Sequence, residues 1–194
     1  MVKVAILHEG NTNKTNDNEL LKLLIKDLQL DETKVEFFGF GSKSNFFKID
    51  NPKYKRLKLQ IEEEEINKVL FVVDADYVEN DKEYGGYDKT AESLYHIIND
   101  LSLLFQTETY ITCDPNTKNG YLESLILSSI PEEQKNCIET FLNCSDFKSK
   151  ENHKAILNQI YKSAYPNAPY NFEHKNFDEL KQKLQNLFNE KEDN

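Results

Sequence analysis

Three acidic residues stand directly behind apolar runs: Glu9 ends "KVAILHEG", and Asp74 and Asp76 end "KVLFVVDAD". Alternate residues of an extended strand face one side, so Asp74 and Asp76, both extended, project together about 6–7 Å apart. At an effective dielectric near 20, two carboxylates at that separation repel by roughly 2–3 kcal/mol, and a bound cation reverses the sign. Hard divalent ions such as Mg²⁺ take oxygen ligands, commonly one or two carboxylates with water and substrate phosphate. From "DAD" by itself, caps on the following loop are the commoner explanation. Glu9 shifts the balance. If strands one and three are neighbours, as in doubly wound sheets, it reaches the same carboxyl edge, where such sheets form their sites, and Gly10 lets the chain turn there.

Other residue types bear on phosphate. In "FGFGSKS", Gly39 and Gly41 would let backbone N–H groups and Ser42 or Ser44 approach a phosphate, as glycine turns before helices do. A turn needed only for chain reversal explains the two glycines equally well. Lys43, Lys150 and Lys154 are cations of the kind that stabilise phosphate charge, although most of the 24 Lys and Arg must simply be solvated. The adjacent glycines of "KEYGGYDK" suggest either an ordinary surface loop or a mobile one beside the aspartates, with Tyr84 and Tyr87 available to stack on a base. His8 alternates away from Glu9, and His96, His153 and His174 have no zinc spacing.

The elements that must position these residues read as an alternation. β-rich runs at 3–7, 34–40, 68–74 and 109–113 are separated by helical stretches, which predicts βαβ units around a mainly parallel, four-stranded, Rossmann-like sheet flanked by helices. Asn16 or Asp17 caps a first helix whose Leu20, Leu21, Leu24, Ile25 and Leu28 recur at helical spacing. Pro52 opens another helix, and "DKTAESLYHIINDLSLLF" is amphipathic. "GYLESLILSSI", "PEEQKNCIETFLN", "NHKAILNQIYKSAY" and "NFDELKQKLQNLF" follow as helices, the last opening near Asn176 or Asp178, before a frayed "NEKEDN". The polar stretch at 146–152 marks a soft boundary between an α/β domain at 1–146 and a helical C-terminal extension at 147–194 packed on it.

A strand ending in "HEG", a helix beginning near Asn16, a "GFG" turn after the second strand and "VVDAD" ending the third resemble the Toprim domain of topoisomerases, primases and overcoming-lysogenization-defect nucleases. The resemblance implies that Glu9, Asp74 and Asp76 bind Mg²⁺, with Mn²⁺ as a substitute, and support phosphodiester chemistry on nucleic acid, DNA first. "CDPNTKNGYLESLIL" is similar to the "G-x-L-E" element of those nucleases and of small stand-alone Toprim-related proteins, which implies a further acidic residue at Glu123. The pattern departs at Val78, where topoisomerase-type sites carry a third acid. Asp81 and Glu79 lie out of register with it, and the nucleases' ATPase domain has no counterpart here. The alternative is a non-catalytic module binding metal, nucleic acid or a nucleotide in a regulatory role, such as within a phage-defence system.

Bulk properties bound these readings. With 194 residues, 38% hydrophobic and 30% charged, the chain fits one domain with a modest extension. A net charge of −10 opposes broad nucleic-acid binding through a basic surface, leaving "NPKYKRLK" at 51–58 as a local basic patch. No run suggests a signal peptide or a membrane span. Cys113, Cys137 and Cys144 read as buried thiols of a cytoplasmic protein. The acidity suits action inside a complex, with a protein partner or a second copy of the chain.

Overall fold

The computed structural model describes residues 3–11, 15–103, 107–144, 156–157, 159–160 and 170–189. Four strands, β1 (Val4–His8), β2 (Val35–Gly39), β3 (Lys68–Asp74) and β4 (Thr107–Thr112), form one all-parallel sheet in the order β2-β1-β3-β4. β1 and β3 are central and covered on both faces, which is why they read as continuous apolar runs rather than alternating ones.

The helices are α1 (Asn16–Asp27), α2 (Lys43–Phe46), α3 (Pro52–Glu62), α4 (Tyr87–Leu101), α5 (Leu122–Ser128), α6 (Glu132–Cys144) and α7 (Asp178–Phe188). On one face of the sheet, Val4, Ile6, Leu70, Val72 and Tyr110 meet Leu20, Leu21, Leu24 and Ile25 of α1, the leucines of α5, and Leu180, Leu184 and Leu187 of α7. On the other, Ala5, Leu7, Val69, Phe71 and Val73 meet Phe46 of α2, Tyr54 and Leu57 of α3, and Leu94, Ile97 and Ile98 of α4. Each buried side chain of this size contributes roughly 1.5–3 kcal/mol over leaving it in water.

Several boundaries differ from the expectation. Thr15, not Asn16 or Asp17, is the residue before α1, and the fourth strand starts at Thr107. α7 follows a 3₁₀ turn at Lys175–Phe177 that His174 caps, while the Asn176 side chain reaches back to donate to Ser128 O at 3.2 Å and Oγ at 2.8 Å. Those two bonds fasten the turn that opens the C-terminal helix to the end of α5. Cys113 is buried, but Cys137 and Cys144 are exposed, because α6 buries little besides Leu142. The boundary at 146–152, residues 190–194, His153, Lys150, Lys154 and most of the helix expected at 152–165 lie outside the described residues. No helix among the described residues is long and apolar enough to cross a membrane.

This strand order has a directional consequence. From β1 the chain moves outward to β2, then returns past β1 to β3 and continues the other way to β4. The loops leaving β1 and β3 therefore diverge, opening a crevice between their carboxyl ends.

Candidate functional site

Glu9 and Asp74 border that crevice. His8 is paired with Val72 in the parallel register, so Glu9 and Asp74 leave neighbouring strands within one residue of the same level. Asp74 is 2% exposed, and its Oδ1 accepts the Leu122 N–H at 3.1 Å, at the first turn of α5. The next residue, Glu123, is 3% exposed, and its Oε1 accepts from Asn16 Nδ2 at 3.4 Å, at the start of α1. Gly10 lets that first turn come close: a Cβ there would stand 2.8 Å from Asp17 Oδ2 and from Thr15 Oγ1. Loops after β1, β3 and β4 and the start of α1 thus carry Glu9, Asp74, Glu123 and Asp17 to one end of the sheet.

Asp76 does not project beside Asp74 as strand alternation predicts. The strand ends at Asp74, and Asp76 sits at φ 58, the left-handed region, where its backbone forms an isolated antiparallel bridge with Gly120. Its N–H donates to Gly120 O at 2.6 Å and its carbonyl accepts from Gly120 N at 3.2 Å. Asp and Asn tolerate this conformation better than most residues, and the two-sided bridge holds it.

Lys43 meets this turn from α2. Its ammonium, in a side chain 7% exposed, donates to Asp74 O at 2.7 Å, Ala75 O at 3.0 Å and Asp76 Oδ2 at 3.2 Å. Three acceptors match the three N–H donors of an ammonium. The residue expected to contact substrate phosphate is therefore engaged with the protein's own aspartate, supplying locally the positive charge that the "DAD" turn calls for.

The glycine turn after β2 is also committed internally. Gly41 has φ 82, and its N–H donates to Gly10 O at 3.1 Å, joining the loops that follow β1 and β2. Ser42 caps α2 by accepting the Asn45 N–H at 3.2 Å, Ser42 Oγ lies 3.1 Å from Ser44 Oγ, and Gly39 O accepts from Lys53 Nζ. Arg56 of the basic stretch pairs with Glu36.

The loop after Asp76 is closely bonded rather than open. Asp81 Oδ1 accepts the N–H groups of Glu83 and Tyr84, each at 3.0 Å, which makes Asp81 a turn cap instead of a substitute third acid. Tyr84 stacks on Phe47, and Lys118 lies over the Tyr87 ring, so both tyrosines expected to meet a base already have ring partners. Val78 is exposed.

His8 is fully buried on the face opposite Leu7, edge-on to Phe37, and neither ring nitrogen has a hydrogen-bond partner among the described residues. Burial, with Lys53 and Lys22 adding to it, holds its pKa down to about 4. The imidazole is a neutral core group at pH 7. Burial likewise pushes the Cys113 thiol up to about 11.

Asp17 and Asn16 were visible in the sequence only as helix caps. Their place at the crevice follows from the Gly10 turn, a long-range approach that local pattern does not encode. Tyr77 and Tyr121, which meet edge to face at 5.7 Å beside the Asp76–Gly120 bridge, had no sequence signal at all. Among the described residues, no three His, Cys, Asp or Glu side chains come together as a group that could hold a metal ion. The donor chemistry at the crevice, carboxylate oxygens only, suits Mg²⁺ or Mn²⁺ rather than zinc, and a shared cation would require these side chains to rotate inward. The chain matches no family model, no curated protein and no solved structure with which it was compared.

Proposed function

We propose that this is a Toprim-like module that takes Mg²⁺, with Mn²⁺ as a substitute, at the β1/β3 crevice and engages a nucleic-acid phosphate there, leading to phosphodiester cleavage. The observation that carries the reading is the burial of two carboxylates, Asp74 and Glu123, at the end of the sheet where doubly wound folds bind ligands. Removing anionic groups from water is costly unless a cation or hydrogen bonds compensate, and carboxylates near one another repel as well. A divalent cation would offset that charge and polarise a phosphoryl oxygen.

In this reading Glu9, Asp74 and Glu123 are the ligands. The Leu122 N–H fixes the orientation of Asp74, and Asn16 does the same for Glu123. Glu9, less buried than either, is the group placed to accept a proton from an attacking water. Asp76, which the Toprim resemblance names as a ligand, holds Lys43 and so shapes the turn.

A second reading, binding without cleavage, is favoured by one observation: the Lys43 ion pair already neutralises Asp76, and Val78 stands where a third acid would be. Such a module would regulate through a partner protein or a second copy.

Two measurements on the purified protein separate these readings. Calorimetric titration with MgCl₂ or MnCl₂ should show a site that Asp74→Asn and Glu9→Gln each weaken at least about tenfold. Incubation with plasmid and single-stranded DNA should then show cleavage dependent on the cation and on Glu9. Cation binding without cleavage selects the regulatory reading. Absence of cation binding by the unaltered protein overturns the cleavage reading and leaves, of the second, only a module that binds nucleic acid or a nucleotide without metal.

A further inference from the structure

We propose that the cleft beside the acidic crevice is a pocket for one nucleotide unit, so that the ligand is a nucleotide or the end of a single strand rather than intact duplex. For the phosphate this rests on the cation reading above; for the base and sugar it does not. The cleft holds about 310 Å³ between α5, α6 and the loop after Asp76, lined among others by Tyr77, Tyr121, Leu127, Leu142 and Leu157. That volume lies at the small end of ligand sites, enough for a base and sugar and too small for two stacked base pairs.

Its chemistry is of the mixed kind a nucleoside needs. The half-buried Tyr77 ring, backed edge to face by the buried Tyr121, offers an aromatic surface to a base, with Leu127 beside it. At the same cleft, the Asp114 carboxylate, whose Oδ1 accepts the Asn116 N–H at 2.8 Å, offers further lone pairs to an exocyclic amine, and Lys135 and Glu139 line the side formed by α6.

The pocket is held open by specific backbone geometry. Gly120 has φ 94, and a Cβ there would meet Ser124 Oγ at 2.1 Å and Tyr77 OH at 3.2 Å. Only glycine allows the two walls this approach, and the paired bonds between Asp76 and Gly120 lock one wall to the other. Both walls also adjoin the acidic site along the chain. Tyr77 follows Asp76, and Tyr121 precedes Leu122, whose N–H orients Asp74. A base laid against the outer side of this ring pair would bring its phosphate to the side of the cleft nearest the crevice.

The test titrates the protein by calorimetry with ribonucleoside and deoxyribonucleoside monophosphates, the corresponding nucleosides, a short single-stranded DNA and the same DNA as a blunt duplex, each with and without Mg²⁺. Asn143→Trp, at an exposed residue on the rim, plugs the cleft, and thermal unfolding verifies that this variant folds. Saturable binding of at least one monophosphate, weakened at least about tenfold by Asn143→Trp, is the expected result. Tight binding of the single strand together with monophosphates identifies a strand end as the ligand, and monophosphates without the strand identify a free nucleotide. No binding by any nucleoside, nucleotide or single strand overturns the proposal, as does binding that Asn143→Trp leaves unchanged or duplex binding as tight as single-strand binding. Nucleoside binding that survives Asp74→Asn, alongside absent Mg²⁺ uptake, would sink the cation reading and leave the pocket standing.

Discussion

At the scale of single residues, Lys43 makes the contact that most changes how the acidic turn reads. Replacing it by Met removes one partner of the Asp76 carboxylate and one donor to each of the Asp74 and Ala75 carbonyls, the latter keeping the Gly86 N–H, which should destabilise the fold by about 2–3 kcal/mol. Chemical denaturation of the variant measures this directly, and an unchanged midpoint would show that the ammonium is not needed there. His8 has the opposite chemistry, a base kept uncharged. Its pKa falls from 6.5 in the unfolded chain to about 4 in the fold, so protons bind the unfolded state preferentially. The stability is complete above pH 6.5 and is lost as pH falls towards 4, by up to about 3 kcal/mol. His8→Leu should flatten unfolding midpoints over that window, and a variant with the same pH slope as the parent would refute the assignment. Of the three thiols, Cys137 and Cys144 should react quickly with a disulfide reagent at pH 8 and Cys113 slowly, because burial keeps it protonated and covered. The burial of Cys113 and the turn of His8 away from Glu9 were legible in the sequence, whereas the contacts of Lys43 and the exposure of Cys137 and Cys144 were not. A lysine's acceptors and a cysteine's exposure are set by residues far away along the chain, and α6 exposes two cysteines because it presents little apolar surface to the body of the molecule.

At the scale of elements, the legible and the hidden divide by range of contact. The strands were readable because a central parallel strand needs apolar residues on both faces, as Val69 to Val73 show, and α1 was readable from its leucine spacing. Neighbouring β1 and β3 strands, assumed from the doubly wound pattern, are what brings Glu9 to the level of Asp74. Asp76 departs from the extended conformation that strand alternation predicts because its left-handed turn depends on Gly120, 44 positions later, through the bridge they share. The following loop was legible only as glycine-rich. A Cβ on Gly85 would lie 2.3 Å from Asp81 O, so the loop's path requires glycine for space. Gly85→Ala should lower stability by about 2 kcal/mol, measured by thermal unfolding, and a neutral effect would show that the loop rearranges freely.

At the scale of the whole molecule, the helix that follows the presumed domain boundary covers the same sheet face as α1. Phe177, Leu180, Leu184 and Leu187 are all nearly inaccessible and belong to one apolar cluster with Ile6 and Val72. A chain ended at residue 146 would expose that face. It should lose cooperative unfolding and bind a hydrophobic dye, and a cooperative transition in the shortened chain would establish that the first 146 residues fold alone.

The arrangement of partners around β3 also orders the site in time. Lys43 and Asp76 both lie in the first 76 residues, whereas the N–H that orients Asp74 belongs to Leu122 and the buried acid beside it is Glu123. A ribosome releasing this chain from its amino end delivers Lys43 and Asp76 well before the second acidic half, but the left-handed turn that presents Asp76 closes only when Gly120 arrives to bridge it. The lysine is thus in place to balance the turn as soon as it forms, and the excess negative charge of the crevice arrives with the same segment, Gly120 to Glu123, that closes it.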